Sequence, residues 1–201
     1  MSKILRIALI IMVLTSVLLA GGCGGGGGTT APAGSTPSGN KVTIIIYADP
    51  QCFACHTLHT QIEPKIIEQY VKTGKATLET RYTSLKGPVS SLAAQAMLCA
   101  GDQGKWSEYR EKILATWASQ SEFAYKQENL ERAATDLGLD VAAFRGCLAD
   151  GKYVQQIADN TIESGKLQLE TLPMMVINDY RIEGVQPWSI VSQAIEDQLK
   201  K

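Results

Sequence analysis

Val42-Thr43-Ile44-Ile45-Ile46-Tyr47-Ala48 is an unbroken run of β-branched and other apolar residues. It is the pattern of a strand buried on both faces, and it stops at Asp49-Pro50. From Cys52 to Val71 the period changes: Leu58, Ile62, Ile66 and Ile67 recur at helical spacing, with Pro64 inside the segment predicting a kink. Ala76-Thr77-Leu78-Glu79-Thr80-Arg81-Tyr82 then alternates as a second strand. These three make a βαβ unit whose helix begins at two cysteines. From Val89 to about Leu167 the pattern is helical throughout, with breaks at Gly101 to Gly104, Ser119 to Ser121, Gly138 and Asp150-Gly151, which predicts four or five short helices. After Thr171-Leu172-Pro173 the chain predicts a strand from Met174 to Asn178, a tight Asp179-Tyr180 turn and a short strand from Arg181 to Glu183. A terminal helix from about Pro187 to Leu199 follows, with Ile190, Val191, Ala194, Ile195 and Leu199 on its apolar face.

The first forty residues read differently. Met1, Lys3 and Arg6 precede the apolar run Ile7 to Ala20, which at 14 residues is shorter than the roughly 20 needed to cross a bilayer. This is the layout of a cleaved export signal, residues 1–22. Ala20-Gly21-Gly22-Cys23 resembles a bacterial lipobox, in which cleavage leaves a Cys that carries lipid, although Ala20 stands where Leu is preferred. Ordinary secretory cleavage is the alternative. Residues 23–40 form a tether: from Gly24 to Asn40 there is no charge and no large apolar side chain. As a random coil its ends sit roughly 20 to 25 Å apart. Residues 41–201 are the folded domain.

Removing residues 1–22 leaves 17 Lys+Arg against 20 Asp+Glu, a net charge of about −3. Without a Lys/Arg cluster the chain lacks the footprint of nucleic-acid binding, and 45% hydrophobic content fits one globular domain.

Five cysteines in an exported chain remain to be placed. Cys52-Phe53-Ala54-Cys55 opens a helix, where unpaired N–H groups favour thiolate on the first sulfur. Cys52 is therefore the expected nucleophile and Cys55 the resolving thiol. Two other readings stand beside this one. A structural zinc needs two further ligands, and His56 and His59 would crowd four into eight residues of one helix. Cys52-Phe53-Ala54-Cys55-His56 also fits the c-type haem attachment motif, with Met97, Met174 or Met175 as a distant axial ligand. The strand that feeds directly into the motif favours the redox dithiol. His56, beside Cys55, is expected to be partly exposed and to help stabilise a thiolate.

Asp49-Pro50-Gln51-Cys52-Phe53-Ala54-Cys55-His56-Thr57-Leu58-His59 resembles the DsbA-like branch of the thioredoxin superfamily. The likeness continues through Ala93 to Tyr109, through Phe144-Arg145-Gly146-Cys147-Leu148, and through Pro173 with Val176-Ile177-Asn178, covering nearly all of residues 41–200. The resemblance implies an α/β thioredoxin fold with an inserted helical domain, about residues 88–168. It implies that Pro173 is a cis-proline beside the cysteines and that Leu172 offers its backbone to a substrate strand, with Phe53 and Ala54 also at the substrate surface. Leu172 and Met174 make that surface more apolar than is usual in the family. Phe53-Ala54 lacks the Pro and the His or Tyr of strongly oxidising members, which implies a less extreme oxidant. Cys99 and Cys147, each near a helix end, are expected to form a structural disulfide, with two buried free thiols as the alternative. Trp106, Tyr109, Trp117, Phe123, Tyr125 and Phe144 are expected in the insertion core.

The expected activity is protein thiol–disulfide exchange without a cofactor, acting on thiols and disulfides of exported proteins outside the cytoplasm. Oxidation of dithiols is the leading direction, with reduction or isomerisation as alternatives and a c-type haem electron carrier as the reading of another class. A membrane redox partner of the DsbB or VKOR kind would recharge an oxidase. The domain is expected to be a monomer, anchored to a membrane through lipidated Cys23.

Overall fold

Val42–Ala48 (β1) lies in the interior of a four-stranded sheet of order β2-β1-β3-β4. The structure, a computed structural model, describes residues 41–168 and 171–201. The export signal, the tether and Cys23 lie outside the described residues. β1 pairs in parallel with Ala76–Tyr82 (β2), from Val42 opposite Ala76 to Ala48 opposite Tyr82. On its other edge it runs antiparallel to Met174–Ile177 (β3), which in turn pairs with Tyr180–Glu183 (β4). Flanked on both edges and covered on both faces, Val42, Ile44, Ile46 and Tyr47 are buried, which explains the unbroken apolar run.

The segment after the cysteines is broken more than a single kink. Phe53–Gln61 (α1) ends at Ile62, and Glu63–Ile66 (α2) passes into a π-helical turn, Ile67–Val71. Pro64 has no N–H to continue the α1 ladder, so the chain restarts from the Ile62 carbonyl, which accepts from Lys65 at 3.0 Å and Ile66 at 3.2 Å.

The insertion contains Pro88–Gly101 (α3), Trp106–Gln120 (α4), a 3₁₀ turn Ser121–Tyr125, Gln127–Asp136 (α5), Val141–Ala149 (α6) and Val154–Lys166 (α7). Its breaks fall where the sequence places them. Gly138 leaves α5 at φ 71°, and Asp140 then caps α6 by accepting from Ala142 and Ala143. Cys99 of α3 and Cys147 of α6 are joined by a disulfide with Cα atoms 5.9 Å apart. α7 is fixed to β2 through Glu163, which accepts from Arg81 at 2.8 Å, and Asn160, which donates to the Tyr82 carbonyl at 3.1 Å.

Two boundaries depart from the sequence expectation. β3 stops at Ile177, and the turn is Asn178-Asp179, which leaves Tyr180 in β4. Asn178 adopts φ 54°, tolerable for Asn, and its Oδ1 accepts from the Thr43 N–H at 2.9 Å, pinning the turn to β1. Of the six insertion aromatics, Tyr109, Tyr125 and Phe144 are fully buried, whereas Phe123 is 57% exposed. Trp188–Leu199 (α8) closes the fold over β1 and β3. Among the described residues no helix is long and apolar enough to cross a membrane.

Candidate active site

β1 delivers the chain into a loop held by several hydrogen bonds. Asp49 is 1% exposed and accepts from the Gln51 N–H, the Lys86 N–H and the Ser90 hydroxyl. Gln51 Nε2 donates to the same Ser90 hydroxyl at 2.9 Å. The Pro50 carbonyl accepts from the Tyr125 hydroxyl at 2.7 Å and from His56 Nε2 at 3.0 Å. A loop tied to the start of α3, to the 3₁₀ turn and to α1 has little freedom, so it fixes where the helix can begin.

That beginning is Cys52. It is the N-cap of α1, in extended conformation, and its Sγ accepts the Cys55 N–H at 3.2 Å. A hydrogen bond from the Cys55 thiol is the largest influence lowering the Cys52 pKa, which falls to about 7; burial and the Asp49 carboxylate oppose it, while the Cys55 N–H and the Lys86 charge add to it. The same contact with the Cys52 sulfur, followed by burial, raises the pKa of Cys55. Negative charge therefore resides on Cys52, and Cys55 keeps its proton.

His56 corrects a sequence expectation. Burial lowers its pKa, so the ring is neutral. It donates to the Pro50 carbonyl and stacks on Trp117 at 4.1 Å between centroids, so it holds the loop and brings no charge to the thiolate. These commitments also fail the test of a haem site. Cys55 is only 6% exposed, and the imidazole that would ligate iron is held against the Pro50 carbonyl. Among the described residues no group of three or more His, Cys, Asp or Glu side chains is placed to hold a metal ion.

The other predicted residues divide by location. The Leu172–Pro173 peptide is cis, and Met174 pairs with Tyr47, so Pro173 sits beside the end of β1 from which the cysteine loop departs. Leu172 is half-buried; Phe53 is 75% exposed, and Ala54 packs on the core. Cys99 and Cys147 belong to the insertion, away from this loop in the fold order. Several contributors escaped the sequence reading: Ser90 and Tyr125, which hold the loop, and a buried ion pair in which Arg110 of α4 donates to Glu63 of α2 at 2.8 Å. Glu63 and Arg110 are 47 residues apart, and nothing in their local pattern separates them from surface helix charges.

Residues 34–197 match the thioredoxin family. The chain belongs to that family. Among solved structures it is similar to a thioredoxin-like oxidoreductase from Silicibacter pomeroyi, at 22% identity and a TM-score of 0.65 over 82% of this chain and 90% of that one. It is similar to Chlamydia trachomatis DsbA at 22% identity and a TM-score of 0.67, covering 80% of this chain and 87% of the other. Wolbachia pipientis alpha-DsbA1 gives 22% identity and a TM-score of 0.67 over 82% and 88% of the two chains. The fold is thus the DsbA-like α/β thioredoxin fold. Curated relatives include a protein named Na(+)/H(+) antiporter NhaA 3 from Salinispora tropica, 29% identical over 161 residues that make up 79% of this chain. The matched region is 23% of that antiporter's length, so the chain spans about a quarter of it. The CxxC pair stands at a helix start within this thioredoxin-family domain.

Proposed function

We propose that the protein is an exported dithiol oxidase that introduces disulfides into exported proteins through Cys52 and Cys55. The observation that carries this reading is the asymmetry of the pair, a Cys52 sulfur stabilised as thiolate by hydrogen bonds from the Cys55 thiol and N–H, and a buried Cys55 that stays protonated. Stabilising the thiolate favours the dithiol form and so favours passing the disulfide on.

In the first step a substrate thiolate attacks Cys52 Sγ of the Cys52–Cys55 disulfide. The bond between the two enzyme sulfurs breaks, and Cys55 departs with the electron pair and takes up a proton. A second substrate thiolate then attacks the substrate sulfur of the mixed disulfide. The substrate disulfide forms and Cys52 leaves as thiolate, so two electrons have moved from substrate to enzyme. A membrane partner of the DsbB or VKOR kind accepts them when the enzyme is recharged. Substrate backbone pairs at Leu172, beside the cis-proline, and exposed Phe53 supplies an apolar contact. Lipid on Cys23 and the tether keep the domain at the membrane. A related domain inside a chain named for an antiporter supports such a location. The domain acts as a monomer.

A Cys52 pKa near 7 resembles that of reducing members more than that of the strongest oxidants, and this supports a second reading as a reductase. The reduction potential separates the two. Equilibration with glutathione buffers is expected to give a value above about −200 mV; one near about −270 mV would instead assign reduction.

A further inference from the structure

The exchange site proposed above, on which this inference rests, has one wall at Leu172 and the cis-proline. The sheet order β2-β1-β3 fixes what stands opposite that wall. β1 and β2 are parallel, so the loop that leaves β2 opens at the same end of the sheet as the loop that carries Cys52. β3 is antiparallel to β1, so the segment that enters it, Leu172-Pro173, lies at this end too. Cys52 therefore stands between Leu172 on the β3 side and residues 83–87 on the β2 side.

The β2 side is firmly built. Thr83 is buried and gives both its N–H, at 2.8 Å, and its hydroxyl, at 3.4 Å, to the Ala48 carbonyl. The Gly87 N–H donates to the Ser84 carbonyl at 3.0 Å, which closes a β-turn with Leu85 and Lys86 at its two corners. Gly87 leaves this turn at φ 101°, a conformation that a side chain there would strain. The turn is then fastened to the cysteine loop: the Lys86 N–H donates to Asp49 Oδ2 at 2.9 Å, and the Lys86 carbonyl accepts from Gln51 Nε2 at 3.4 Å. With the backbone of the corner held against residues 49–51, its side chains are left outward. Leu85 is 50% exposed, and Lys86 is exposed as well.

Lys86 is the cation of this turn. Among the described residues no carboxylate forms an ion pair with its ammonium. Its charge acts on Cys52, where it favours the thiolate. In the disulfide form that thiolate is absent, and the cation faces whatever chain brings its cysteine to Cys52. Phe53 and Leu85, the exposed large side chains of these two segments, are apolar, which leaves Lys86 to select charge. An extended chain with its cysteine turned to Cys52 turns the residue two places along to the same face, about 7 Å away. The step from β1 to β2 is about 5 Å, so that residue comes within reach of a lysine on the β2 side.

We propose that Lys86 is a specificity-determining residue of the exchange site, pairing with a carboxylate two residues from the substrate cysteine. The favoured substrates are exported chains with Asp or Glu at that spacing, and chains with Lys or Arg there are disfavoured. Leu172 holds the other side of the same strand, so the two walls together set both register and charge.

The test is the reaction of the reduced mature chain with single-cysteine peptides activated as thiopyridyl disulfides. Cys52 thiolate attacks the peptide sulfur, the bond to the pyridyl sulfur breaks, and thiopyridone leaves with the electron pair, taking a proton from water. This yields the same enzyme–peptide mixed disulfide through which the oxidative direction passes. The peptides share one sequence and carry Glu, Gln or Lys two residues before or two residues after the cysteine. In one of these two sets the wild type is expected to react about threefold to tenfold faster with Glu than with Lys, with Gln between, and the ratio should shrink as salt is raised. Lys86→Ala should bring the ratio close to one, and Lys86→Glu should invert it. Because Lys86 also acts on the Cys52 thiolate, each variant changes the rate with every peptide, and the ratio between peptides cancels that change. A wild-type ratio of one in both sets, or a preference that survives Lys86→Ala, would overturn the proposal. Release no faster than from Cys52→Ser with every peptide would instead overturn thiol exchange at Cys52 itself.

Discussion

Cys52 and Cys55 are neighbours on one helical turn, yet their environments push them in opposite directions. The Cys52 pKa falls to about 7 and that of Cys55 rises. In the unfolded chain both thiols ionise near 8.5. Between pH 7 and about 8.5 the folded dithiol form has released the Cys52 proton while the unfolded chain still holds it, so the stability of that form increases with pH. Above about 8.5 the slope reverses, because the unfolded chain then loses both protons and the folded chain keeps the one on Cys55. Urea titrations of the dithiol and disulfide forms across this range are expected to show a difference that rises and then falls. A difference that does not change with pH would mean that the two thiols are not split. The CxxC spacing announced the pair and the hydrogen bond between its sulfurs, but the burial and the Lys86 charge that also act on the split are not revealed by local sequence.

The elements show why boundaries were read less well than their cores. β1 and β2 were legible to the residue because their apolar and alternating patterns are set by the sheet that covers them. The α1 to α2 break was legible only as a kink at Pro64. The restart at Ile62 and the π turn that follows depend on how this face meets β2. The turn at Asn178 was placed one residue late because its register is fixed by hydrogen bonds to Thr43, 135 residues earlier. The α3–α6 disulfide spans a sequence separation of 48. On the chain-entropy account its removal should cost about 4 kcal/mol. Cys99→Ala with Cys147→Ala is therefore expected to lower the urea midpoint while leaving the alkylation rate of Cys52 unchanged, since the loop is held through Ser90 and Lys86 at the other end of α3. A slowed Cys52 would show that the disulfide shapes the active-site loop as well.

For the molecule as a whole, the central proposal is a redox domain kept near a membrane by lipid on Cys23. Cys23→Ser, exported in a bacterial host, is expected to move the protein from the membrane fraction to the soluble fraction without altering the reduction potential of the domain. Retention at the membrane would show that something other than the lipid holds it. The sequence by itself determined the order of elements, the inserted helical block and the cysteine pair at the helix start, because hydrophobic period, glycine breaks and CxxC spacing are local properties of the chain. Only the tertiary structure decided which polar groups surround the sulfurs. Tyr125 meets Pro50 across 75 residues, Arg110 meets Glu63 across 47, and His56 turns to the Pro50 carbonyl. Such contacts arise when separate elements pack face to face, and a hydrogen bond or a buried charge between them leaves no mark in the residues that lie beside either partner in the chain.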